Sequence, residues 1–189
     1  MIIDENITSE LIINKSRFIT YLYKVKSKEE IENYLTNLKK EYKDATHICY
    51  AYILDNEEKY DDNKEPQGTA GLPILEVLKK NNLNYIVCFV IRYFGGIKLG
   101  SGGLIRAYSN CCSLCLKETN LIKLEKKYKI KLTTDYKNNK TILTLINDKN
   151  ILEKDFQEDI TYTLLINQEL KDKFDLMNMA YTIIEETYF

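Results

Sequence analysis

All seven glycines of this 189-residue chain lie between Gly68 and Gly103, and both prolines, Pro66 and Pro73, sit in or beside that window. Glycine serves where backbone must take a positive φ or come close to another surface. The rest of the chain is therefore expected to be ordinary helix and strand, with the unusual backbone confined to this window. Its densest part runs from Arg92 to Tyr108 and holds Gly95, Gly96, Gly100, Gly102 and Gly103 together with Lys98 and Arg106. Bare backbone N–H groups beside cationic side chains suit an anion.

Charge is partitioned in the same way. Residues 1–76 carry 10 basic and 15 acidic side chains, residues 77–140 carry 13 and 3, and residues 141–189 carry 4 and 10, so a net charge of −1 conceals a strongly basic middle. No acid occurs between Glu76 and Glu118. Such a segment is an electrostatic footprint for phosphate. Its other reading, neutralisation by the acidic ends in the folded chain, stays open.

An apolar content of 44% excludes a disordered chain. The longest apolar run, Ile86–Ile91, is far too short to span a bilayer. The first residues are acidic and show no signal region, and the five cysteines read as reduced thiols, so a cytoplasmic protein without membrane association is expected.

Residues 7–26 read as two strands around a turn at Asn14–Ser16, and Ser27 with Glu30 forms a capping box ahead of a helix over 28–42. Ile48–Leu54 reads as a strand followed by an acidic loop at 55–65, and Tyr85–Ile91 as a strand buried on both faces. A helix is expected from about Gly103, with Leu104, Ile105, Tyr108, Cys111, Cys112, Cys115 and Leu116 on its apolar side. Beyond a boundary near 120–127, Tyr128–Thr134 and Thr161–Ile166 read as strands and Glu169–Ile183 as a helix with Phe174, Met177 and Tyr181 inward. The expected domains are 1–122 and 123–189.

The glycine loop leads from a buried strand into a helix N-terminus, a geometry that binds phosphate. It matches neither a P-loop nor a dinucleotide fingerprint, and a purely structural loop is the competing reading. His47 is the only histidine, so any Ser-His or Cys-His chemistry would need it. Cys112 and Cys115 form a C-x-x-C, but on the apolar face of a helix with no second ligand pair they read as buried thiols. The acids Asp55, Glu57, Glu58, Asp61, Asp62 and Glu65 lack EF-hand spacing and read as a solvated loop. No cofactor or metal set is legible. Tyr93, Phe94 and Tyr108 either stack on bases or pack around the loop.

The run Glu65-Pro66-Gln67-Gly68-Thr69-Ala70-Gly71, with Pro73-Ile74-Leu75, is followed by Arg92-Tyr93-Phe94-Gly95-Gly96, Lys98-Leu99-Gly100, Gly102-Gly103-Leu104 and Arg106-Ala107-Tyr108. Together with Ala45-x-His47 and Ala51-Tyr52, it closely resembles the signature of the IMPACT family, in its bacterial YigZ-type branch. The resemblance covers residues 15–118 well. It implies an α+β chain of two domains, an N-terminal left-handed βαβ domain similar to domain IV of elongation factor G and a C-terminal ferredoxin-like domain. Eukaryotic members of the family act in regulating translation initiation under amino-acid stress. Where the family pattern has Asp-Asp-Gly-Glu-Pro, this chain has Asp62-Asn63-Lys64-Glu65-Pro66.

Two functional expectations follow. The first is a non-enzymatic module binding RNA or a ribosomal or translation component, in which Arg92, Lys98 and Arg106 meet phosphate. There the Gly95, Gly96, Gly100, Gly102 and Gly103 backbone approaches the ligand and His47 lies on the same surface. The second is a binder of, or an enzyme acting on, a phosphorylated small molecule or nucleotide, in which Glu65, Thr69 and His47 line a pocket opposite the loop.

Overall fold

The structure, a computed structural model, describes residues 1–188. The chain divides into two compact units, Met1–Ile122 and a second from Lys123 onward. Both combine helices with antiparallel sheet, an α+β architecture.

The first unit contains β1 (Ile2–Ile3), β2 (Ile7–Ile13), β3 (Ser16–Lys24), α1 (Lys28–Glu41), β4 (His47–Leu54), β5 (Glu57–Asp61), α2 (Gly71–Lys80), β6 (Ile86–Tyr93), α3 (Gly100–Lys117) and β7 (Leu121–Ile122). The hairpin turn between β2 and β3 is made by Asn14 and Lys15, both at positive φ, which matches the right-handed twist of the strands it joins. The Ser27 hydroxyl caps α1 by accepting from the Glu30 N–H, but the Glu30 carboxylate accepts from the Lys26 N–H and not from that of Ser27, so the expected capping box is only half formed.

Strands β2 to β6 form one sheet in the order β2-β3-β6-β4-β5, every neighbouring pair antiparallel. Side chains alternate between its faces. Phe18, Leu22, Cys49, Ala51, Cys88 and Val90 meet α2 and α3 on one face, and Ile19, Ile48, Tyr50, Val87, Phe89 and Ile91 meet α1 on the other. Strand β6 is buried along its length up to Arg92, with Tyr93 half-buried, because helices cover it from both sides.

This topology fixes a handedness. The crossover β3–α1–β4 steps over β6, and β5–α2–β6 steps back over β4 in a sheet where both strand direction and step direction are reversed. Two such crossovers on the same face would share one hand. Here their helices lie on opposite faces, so the two are of opposite hand and one is left-handed, against the general preference.

The second unit contains β8 (Lys126–Thr134), α4 (Asn139–Leu145), β9 (Ile151–Phe156), β10 (Ile160–Asn167), α5 (Gln168–Leu176) and β11 (Tyr181–Tyr188). Its sheet order β11-β8-β10-β9, antiparallel throughout, is the ferredoxin-like arrangement. Tyr128, Ile130, Leu132, Tyr162, Leu164 and Phe174 fill its core.

Three expectations change. The helix predicted over 169–183 ends at Leu176, because Asn178 turns the chain at φ 51°, and Tyr181 begins a strand. The acidic loop contains β5, which pairs with β4. Positive φ is not confined to the glycine window: Asn14, Lys15, Asp55, Asn63, Lys64 and Asn178 adopt it elsewhere, four of them the Asn and Asp residues that tolerate it best.

Candidate functional site

Sheet register sets the first layer of the site. Arg92, at the end of β6, lies directly opposite Phe18 on β3 and His47 on β4, and residues opposed in this way share a face. That face is the one covered by α2 and α3. The segment between β5 and α2 crosses above this row and lowers Glu65 onto it.

Glu65 is the hub. Its Oε1 accepts from Arg92 Nη1 at 2.5 Å and from the Tyr108 hydroxyl at 2.8 Å, and His47 Nε2 lies 3.8 Å away. The Glu65 and Arg92 side chains are 4% and 5% exposed. A charge buried this deeply is tolerated only when paired and hydrogen-bonded. Arg92 also reaches the Ser16 hydroxyl with Nη2 at 3.4 Å, and its guanidinium stands 5.5 Å from the Phe18 ring and 5.6 Å from the Phe94 ring. Its Nε is buried with no hydrogen-bond partner.

A second ring of contacts holds the hub in place. The Asp62 carboxylate accepts from the backbone N–H groups of Gly68, Ala70 and Gly71, which pins the loop to the start of α2. The His47 Nδ1–H donates to the Asn63 carbonyl at 2.8 Å, so in the neutral ring Nε2 is left as an acceptor. The Asn63 side chain in turn accepts from the Ile48 N–H. Asn63 and Lys64 sit at φ 42° and 69°; the tight turn survives with lysine where the family pattern has glycine. The Cys49 thiol lies 3.1 Å from the Asp62 carbonyl and 3.4 Å from the Tyr108 oxygen, and burial pushes its pKa up to about 12. Burial likewise raises that of Tyr108. Both groups stay protonated and donate.

Over this polar floor opens a cavity of about 450 Å³, lined by Thr46, His47, Glu65, Pro66, Arg92, Phe94, Lys98, Leu99, Gly100, Ser101 and Leu104. The start of α3 forms part of its wall, and no side chain caps that helix. The first N–H groups of a helix have no partner within it. They present partial positive charge on the cavity side.

The structure brings His47, Glu65, Arg92, Lys98 and Gly100 to one cavity. The other expected residues stand elsewhere. The Thr69 hydroxyl donates to the Pro66 carbonyl at 2.6 Å, which tightens the loop from behind. Gly95 packs: a Cβ there would fall 2.0 Å from the Lys15 carbonyl carbon, and its N–H is taken by Ser16. Gly96 is exposed, and Gly102 and Gly103 lie in the first turn of α3. Arg106 is exposed outside the cavity, with Nη1 3.7 Å from where a Gly102 Cβ would stand, so its charge folds back along that first turn.

One expectation needs correction. Arg92 does not offer a free charge to phosphate, because Glu65 neutralises it; Lys98 and Arg106 are the exposed cations of the loop. Tyr108 is fully buried and packs edge-on against Phe18, which settles its alternatives for packing. Sequence reasoning left Thr46, Ser101 and the capping role of Asp62 unassigned. Asp62 lies nine residues before the first residue of α2, outside any N-cap position, so no local signal marked that role.

An α+β protein of two domains, with a neutralised Glu–Arg pair beneath an uncapped helix start, is the class these observations define. The Impact N-terminal domain model matches residues 14–116. IMPACT family member YvyE of Bacillus subtilis is 47% identical over 116 residues, which are 60% of this chain and 54% of that protein. An IMPACT family member of Haemophilus influenzae is 36% identical over 170 residues, covering 86% and 82% of the two chains. The crystal structure of a hypothetical protein matches 96% of this chain and 94% of its own with a TM-score of 0.64 at 27% identity. The chain belongs to the IMPACT family. It spans about half the length of the Bacillus subtilis relative and most of the Haemophilus influenzae one.

Proposed function

We propose that this protein is a non-enzymatic, translation-related module that binds RNA, on its own or within a ribosomal component, at the start of α3. The observation that carries this reading is the pairing of two exposed cations, Lys98 and Arg106, with the uncapped first turn of an 18-residue helix. Phosphate needs such a combination: backbone N–H donors, a favourable helix dipole and mobile positive charge. Half-exposed Phe94 beside them is a stacking surface for a base. Translation enters through the family, whose eukaryotic members act in regulating translation initiation.

Binding to single-stranded RNA weakens steeply with salt in this reading. The Lys98→Glu, Arg106→Glu double variant loses it. Unchanged affinity in that variant, measured at two salt concentrations, contradicts the proposal. A second reading rests on the cavity itself, whose volume falls in the range of small-molecule sites. A phosphorylated metabolite bound there raises the melting temperature in a ligand screen.

A further inference from the structure

We infer that β2 is a pairing edge, and that its occupant is β2 of a second copy of this chain, joined antiparallel about a two-fold axis through Glu10. This goes beyond the RNA reading and does not depend on it.

The two large sheets have four edges, β2, β5, β9 and β11. A bare edge strand invites pairing unless charges, proline or a bulge blunt it. Three of the four are blunted. In β5 (Glu57–Asp61) every residue but Tyr60 is charged. β9 carries Glu153, Lys154 and Asp155, and its register against β10 shifts beside Thr163. β11 carries Glu185 and Glu186, and its register against β8 shifts between Ile183 and Glu185.

β2 has none of these devices. Its seven residues run in unbroken register with β3, without proline, lysine or a bulge. Its one charge, Glu10, is held in a bidentate pair with Arg17 at 2.9 and 2.8 Å. In an antiparallel pair, alternate residues turn their N–H and C=O away from the neighbouring strand. Here these are Thr8, Glu10 and Ile12, since Ile13 and Ser16 close the two-residue turn. Among the described residues, no group outside β3 is hydrogen-bonded to the backbone of residues 8–13.

Self-pairing fits this sequence. A two-fold axis normal to the sheet keeps every side chain on its own face, and centred on Glu10 it engages the whole strand. Ile7 then stands opposite Ile13 of the other copy, Thr8 opposite Ile12, and small Ser9 opposite Leu11 on the side packed by α3. Cross-strand β-branched pairs of this kind stabilise a sheet. Ile12, 67% exposed, gains cover. The two Glu10 carboxylates meet at the axis, each already bonded to its own Arg17. The joined sheet ends on both sides in the charged β5, so assembly closes at two copies. Because Gly95 packs on the β2–β3 turn, the dimer carries one glycine loop at each end of the paired strands, with the turns about 20 Å apart along them.

The experiment is sedimentation of the full chain from low to high micromolar concentration, where its mass is expected to double. Ile12→Lys charges the exposed edge without touching the core and is expected to weaken dimerisation by about tenfold or more. Its melting temperature, compared with that of the parent at a dilution where both are monomeric, separates lost pairing from lost folding. Glu10→Cys sets two new thiols opposite each other, with Cα atoms about 4.5–5.5 Å apart and within disulfide reach. Mild oxidation is expected to cross-link it, whereas Thr8→Cys, opposite Ile12, stays unlinked. The five native cysteines are buried and do not compete. A monomer at every concentration overturns the inference, as does a dimer that survives Ile12→Lys or links equally through both new cysteines. A chain that stays monomeric but binds a peptide copying residues 7–13 assigns the edge to an extended peptide and overturns the second copy as its occupant.

Discussion

The two ends of the glycine-rich loop look alike in sequence and differ in kind. At Gly95 the backbone is wedged against the β2–β3 turn, where a single added carbon would land 2.0 Å from the Lys15 carbonyl carbon. At Gly100 the φ of 68° needs glycine, but the space where a side chain would go is open. The first end belongs to the architecture and the second to the surface. A glycine tolerated for its missing Cβ and one chosen for its backbone angle cannot be told apart by composition, and only the second lines the cavity.

Substitutions should separate the two ends by size of effect. Gly95→Ala is expected to cost more than about 4 kcal/mol, since neither neighbouring backbone can move without displacing the hairpin; the readout is thermal unfolding, and a near-native melt contradicts the packing described. Arg92→Met leaves Glu65 buried without its partner and is expected to cost roughly 3–5 kcal/mol in urea unfolding. Adding Glu65→Gln to it should recover part of that loss, and strict additivity would show that the two groups do not act as a pair. Gly100→Ala forces a left-handed alanine and is expected to cost about 1–2 kcal/mol, measured the same way. At the small end, Lys98→Ala with Arg106→Ala should change stability by less than about 0.5 kcal/mol. The same variant should shrink the salt dependence of RNA binding by a slope of about 1.4.

Some of this was legible beforehand and some could not be. The turn at Asn14 and Lys15, the capped helix after Ser27 and the buried strand expected over Tyr85–Ile91 all announce themselves through local pattern. β5 does not: Glu57–Asp61 is exposed at every position, so no apolar alternation marks it. The helix over-run past Leu176 arose because Phe174, Met177 and Tyr181 keep near-helical spacing while the real break is a single Asn178. In the site, residue types and the neighbourhood were readable but the pairing was not. Glu65 and Arg92 are 27 positions apart, and nothing local in either segment reveals that an arginine beside a glycine loop is already neutralised.

The short pairing of β1 with β7 ties Ile2 and Ile3 to Ile122 and Leu121. During synthesis Ile2 and Ile3 therefore have no strand to pair with until some 120 positions later, when the last strand of the first unit appears. Until then the sheet can assemble, but Ile3, which ends fully buried in its core, lacks its strand partner Leu121. The first unit is thus finished by its own beginning, at the moment synthesis passes into the second.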